Sequence, residues 1–187
     1  MLSGSPAWTT IANYLLFQAG WFVCVLGTAA GWPWMATGAG LILVLIHLLL
    51  VPHWLREGFL LLSALVIGLV VDAFHIHSGV LLFPLGSIHP DLPPPWILVL
   101  WLQFATTLHY SLAWLDGRNL AGIILGAVAG PLAYWAGVRF GAASFGLDLY
   151  RCLLQIGLSW GVVMVLLLRI ASLTKTGKVP VYRPFVH

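Results

Sequence analysis

From Trp8 to Ala29, and again from Trp34 to Val51, the chain carries no Asp, Glu, Lys or Arg. Runs this long and this apolar suit a hydrocarbon core about 30 Å thick, which about 20 helical residues cross. Inside that core backbone polar groups must bond one another, so the choice of fold narrows to helices or a closed barrel. The alternating strand pattern of a barrel is missing from the sequence. Composition agrees with helices: 61% of residues are hydrophobic and 7% charged, with a mean hydropathy of +1.01, far above a soluble domain. The expected fold class is all-α, a polytopic membrane bundle of about six transmembrane helices with no sheet, forming one domain over residues 1–187.

Turn chemistry divides the runs. Gly31-Trp32-Pro33, Pro52-His53-Trp54, the stretch from His89 to Pro95, Asp116-Gly117-Arg118-Asn119 and Gly141-Ala142-Ala143-Ser144 are breaks that belong outside lipid. They set spans at about 8–29, 34–52, 57–77, 95–115, 119–138 and 148–171, with 172–187 as a tail. The first segment lacks the basic flank of a signal peptide and reads as a retained helix. Arg56, Arg118, Arg169, Lys175, Lys178 and Arg183 fall on one side of this arrangement, and Arg139 and Arg151 on the other. By the positive-inside rule both termini are cytoplasmic, in a multi-pass membrane protein. The net charge of +3 is then a topology signal, and no nucleic-acid partner is expected. Trp8, Trp32, Trp34, Trp54, Trp96, Trp114 and Trp135 sit towards span ends, where an indole anchors at the interface.

Gly122, Gly126 and Gly130 recur every four residues on the fifth span, and Gly137 and Gly141 repeat the spacing beyond Pro131. Such a face lets helix backbones approach closely, so it is a candidate contact for a neighbouring membrane helix, with Gly157 and Gly161 offering a similar face on the sixth span. Cys24 and Cys152 are too few for a disulfide framework and read as small apolar residues at similar depth, with a bridge between them as the alternative.

The chemistry-bearing residues are those that hydrocarbon should exclude. Asp72 ends an apolar run, and His75 lies over the same helix face three residues on. These two are the candidate catalytic pair, one able to hold or exchange a proton with the other. Gln103, Thr106, Thr107 and Tyr110 follow helical spacing on the fourth span, as do Asp148, Arg151, Gln155 and Ser159 on the sixth. Sorted by depth, Asp72, His75, Gln103, Arg151 and Gln155 form one polar layer. Asn13, His47, His109 and Tyr110 form the other, with Gln18 and Thr106 between. Gln103, Thr106, Arg151, Gln155, His109, Asn13 and Gln18 are therefore candidate substrate-binding residues, and Arg151 is the counter-charge for Asp148 or Asp72. His75, His77, His89 and Asp91 cluster in sequence, but i and i+2 point apart on a helix and no zinc-type pair supports them. No metal and no cofactor are expected. Serine-hydrolase elbows and phosphate loops are missing.

At Asn13–Trp21, Pro95–Trp114 and Gly130–Ala142 the chain resembles a family of small bacterial inner-membrane proteins classed as a domain of unknown function, and the likeness covers nearly its whole length. The resemblance implies a helical membrane fold, genes placed near lipid-modifying enzymes, and no assigned catalytic residues. Three readings follow. One is a membrane-embedded enzyme or accessory subunit handling a lipid or isoprenoid, with membrane lipids as partners. Another is a small proton-coupled transporter, with a faint internal echo between Leu16–Ala19 and Leu102–Ala105. The third is a structural subunit of a larger membrane complex. A dead-ended apolar cavity favours the first, a continuous polar lumen the second and a filled core the third.

Overall fold

The computed structural model describes residues 6–175. Six α-helices follow one another: α1 (Pro6–Ala29), α2 (Pro33–Leu50), α3 (Trp54–His77), α4 (Pro95–Ala105), α5 (Asn119–Phe140) and α6 (Leu149–Thr174). All but α4 are long and apolar enough to cross a membrane. Proline at the first turn starts α2 and α4, where its missing N–H costs nothing. Asp148 caps α6 by accepting from Arg151 N at 3.1 Å. Gly141, at φ +90°, ends α5 in the left-handed conformation that closes a helix. Helix α6 runs to Thr174, so the stretch read as a tail begins inside a helix, and residues 176–187 lie outside the described ones. We refer below to the end where α1 begins and α6 finishes as the near end, and to its opposite as the far end.

The fourth crossing differs from a simple span. Helix α4 stops at Ala105, ten residues before the boundary the sequence suggests, and the chain continues as turns with a short 3-10 segment at Ala113–Leu115. Thr106 and Thr107 turn their hydroxyls back onto the carbonyls of Gln103 and Phe104, each at 2.6 Å, a local bond that competes with helix continuation. Every residue from Ala105 to Tyr110 is buried. Irregular backbone at membrane depth is tolerated only when protein shields it, and here it is shielded.

Helices α5 and α6 make the most intimate pair of the bundle. A Cβ on Gly126 would fall 2.5 Å from the Trp160 carbonyl, one on Gly130 would meet the Trp160 ring, and one on Gly122 would meet Leu168. The glycine face thus packs against α6 of the same chain. Gly157 answers from α6: a Cβ there would come 3.0 Å from the carbonyl of Ala127, the group that Pro131 cannot bond in the helix. At the far end a two-residue antiparallel ladder, β1 (Leu81–Leu82) with β2 (Ser144–Phe145), departs from the expectation of no sheet. It pairs backbone of two connections that lie beyond their helix ends.

Trp8, Trp32, Trp34, Trp54, Trp114 and Trp135 are exposed, as interface anchors should be. Trp96 is not: it is 1% exposed and its Nε1 donates to Leu85 O at 3.3 Å. Cys24 and Cys152 are unpaired and buried in separate clusters.

Candidate functional site

Asp72 lies near the far end of α3 and is fully buried. Trp101 Nε1 donates to its Oδ2 at 2.6 Å and the Tyr134 hydroxyl donates to its Oδ1 at 2.6 Å. Both distances are short, as hydrogen bonds to a carboxylate are. Gly68, one turn before Asp72, makes this possible. A Cβ there would sit 2.3 Å from the Trp101 ring, so the bare glycine gives the indole a slot that aims its N–H at the acid. The same indole stacks on Trp160, ring centres 4.6 Å apart and 12° from parallel.

Trp101, Tyr134 and Trp160 also form part of the wall of a cavity of about 440 Å³, a volume in the range of small-molecule sites. Helix α5 creates the space by presenting Gly126, Ala129, Gly130, Ala133, Ala136 and Gly137 to it. Opposite stands α1, whose Trp21 meets Phe140 at 6.3 Å at the far end, with Phe17 against Phe104 of α4 further down. No Asp, Glu, Lys, Arg or His lines the cavity, and Gln18 and Tyr134 bring its amide and hydroxyl. Asp72 stands behind this wall. Tyr134 is the link, a phenol that lines the cavity and holds the carboxylate with its hydroxyl.

The candidate residues divide accordingly. Gln18 lines the cavity. His75 packs near Tyr134, ring centres 6.4 Å apart, and bonds Gln155 rather than Asp72: Gln155 Nε2 lies 3.2 Å from His75 Nδ1 and donates to Ser78 Oγ at 2.7 Å. The other ring nitrogen, Nε2, is buried without a partner. Gln103 faces the opposite way, donating to Gly40 O at 3.2 Å where α1, α2 and α4 meet. Asn13 stitches α1 to the broken crossing, donating to Thr106 O and accepting from Ser111. Arg151 is exposed and pairs with Asp148 at 3.0 Å on its own helix, away from Asp72. His77 and His89 both face Asp91 on the exposed far end, at 3.9 and 3.7 Å.

A second polar centre lies at the near end, around a residue the spacing arguments pass over. Glu57, 4% exposed, takes His47 Nε2 on Oε1 at 2.9 Å and His109 Nδ1 on Oε2 at 2.8 Å. His109 also reaches Ala171 O through Nε2 at 2.9 Å. A pocket of about 30 Å³, room for a water, adjoins Glu57 and His109. Between the two centres the buried stripe of α3 is Leu60, Leu61, Ala64 and Gly68, which is apolar. The depth ordering places His47 and His109 in one layer, and that is the available signal for Glu57, which begins the third span.

The sequence pattern of a family described as protein of unknown function (DUF2878) matches residues 10–166. No curated protein and no solved structure matches the chain.

Proposed function

The chain belongs to the DUF2878 family of proteins of unknown function, and from its cavity we propose that this membrane protein handles a lipid or isoprenoid, holding an apolar chain between α1, α4, α5 and α6. The observation that carries the reading is the roughly 440 Å³ cavity with no charged side chain on its wall. Hydrocarbon gains little by leaving lipid, so the fit rests on shape and aromatic contact. The indoles of Trp21, Trp96, Trp101 and Trp160 supply that contact. If a reaction follows binding, Asp72 acts through Tyr134, the group able to pass a proton between the cavity and the buried carboxylate. Arg56, Arg118, Arg169 and Lys175 at the near end support a cytoplasmic orientation for that end, in a bacterial inner membrane. A proton-coupled transporter is disfavoured by the apolar stripe from Leu60 to Gly68 that separates the two polar centres.

The test uses the full chain in nanodiscs containing a phospholipid with a photoreactive group on its acyl chain. Labelling is expected at Gln18, Ala129 and Ala133, and Ala133→Trp, which fills the cavity, should abolish it at Gln18 while sparing lipid-facing Val66. Labelling at Gln18 that survives Ala133→Trp overturns the reading.

A further inference from the structure

The near-end centre has a donor count that the usual protonation states of its members do not meet. A neutral imidazole carries one N–H, and a backbone carbonyl only accepts. His109 sets Nδ1 at 2.8 Å from a Glu57 carboxylate oxygen and Nε2 at 2.9 Å from Ala171 O. Both partners call for a hydrogen on the ring. If that hydrogen sits on Nε2 alone, the bare Nδ1 faces a carboxylate oxygen, lone pair against lone pair. Thr174 Oγ1 lies further from Nε2, at 3.2 Å, and is within reach of the carbonyls of Ile170 and Ala171 at 3.0 and 3.1 Å as its own acceptors. The shorter contact favours the N–H towards Ala171.

We propose that Glu57 and His109 form a buried proton-binding site, holding one proton between them near neutral pH and exchanging it with water at the near end. Either the ring is doubly protonated against a carboxylate, or the carboxyl is protonated and donates to Nδ1; the same proton satisfies both descriptions. His47 supplies a further donor to Glu57 from α2 and lies edge-on to Tyr110, ring centres 5.3 Å apart. The groups surrounding the site are His53 just before α3, Arg56 in its first turn, Tyr110 and Asp116 from the connection after α4, and Ser172, Thr174 and Lys175 at the end of α6. Lys175 and Asp116 engage each other at 2.5 Å, so that cation is already paired. The water-sized pocket gives the proton its route without crossing the apolar cavity. Placed there, the proton fastens the buried turn after α4 to the last turn of α6, and its loss would leave His109 repelled by one of its two partners.

Glu57 is the single glutamate of the chain, which makes the test direct. The intact protein in nanodiscs is labelled with 13C-glutamate and 15N-histidine, and the ring coupled to the sole glutamate carboxyl through Nδ1, which is His109 because His47 approaches through Nε2, is read by solid-state NMR near neutral pH. The expected spectrum shows hydrogens on both nitrogens beside an ionised carboxyl, or one hydrogen beside a protonated carboxyl. A ring with one hydrogen beside an ionised carboxyl overturns the proposal. In Glu57→Gln the same ring is expected to become neutral, and a ring that stays doubly protonated there overturns it as well. Should that variant fail to fold, the wild-type spectrum decides alone.

Discussion

Tyr134 of α5 donates to Asp72 of α3 across 2.6 Å, on the oxygen that Trp101 of α4 leaves free. Three helices are thereby joined at one carboxylate, with no cation bonded to it among the described residues. A hydrogen bond to a charged group contributes roughly 1.5–3 kcal/mol. Tyr134→Phe is therefore expected to lower unfolding stability in detergent by about that amount, and unchanged stability would show that the bond does not matter to the fold.

The same carboxylate distinguishes two replacements. In Asp72→Asn the amide oxygen can still accept from Trp101, a donor only, while the amide N–H turns to Tyr134, whose hydroxyl can reverse its role. Asp72→Ala leaves both donors buried without an acceptor. Thermal unfolding should rank Asp72→Asn clearly above Asp72→Ala, and the opposite order would count against the hydrogen-bond assignment.

Arg151 forms an exposed pair with Asp148, and exposed pairs contribute about 0–1 kcal/mol. Arg151→Gln should leave stability within about 1 kcal/mol of the parent, whatever residue stands at position 72. A double-mutant cycle with Asp72→Asn should accordingly show no coupling.

Gly126→Leu places a side chain where a Cβ alone would fall 2.5 Å from the Trp160 carbonyl. Overpacking costs typically 1–3 kcal/mol and sometimes more. The suitable comparison is Val128→Leu, because Val128 is 55% exposed, whereas Ala127 itself lies against Gly157 and Gly161. Matched melting of the Gly126 and Val128 variants would remove the close approach of α5 and α6 from the account.

The helical class, the turn breaks and the oddity of Asp72 were legible because each follows from local rules: apolar run length, glycine and proline punctuation, and the exclusion of charge from hydrocarbon. The partners of Asp72 were not, since Trp101 and Tyr134 sit 29 and 62 residues away in sequence, in runs where an indole or a phenol passes for packing. The end of α4 was hidden for a different reason. Gln103, Thr106, Thr107 and Tyr110 keep helical spacing past the stop, and only the hydroxyls of Thr106 and Thr107, which bond backwards, betray it. Arg151 pairs with Asp148, one of the two partners its position offers, while Gln103 is received by the Gly40 carbonyl, backbone that no side-chain pattern encodes.

The shortness of α4 has a consequence for how the chain is assembled. Eleven residues rise about 16 Å, close to half the hydrocarbon thickness, so this segment cannot settle in the bilayer through its own partitioning. It rests on α1, α2 and α3, and the turn that follows it is tolerated at depth only under their cover and that of α6. A peptide of residues 95–118 offered alone to a bilayer should fail to integrate, and the same segment within the whole chain should integrate. For this crossing, insertion and folding are one event, and the preceding helices are the solvent into which it dissolves.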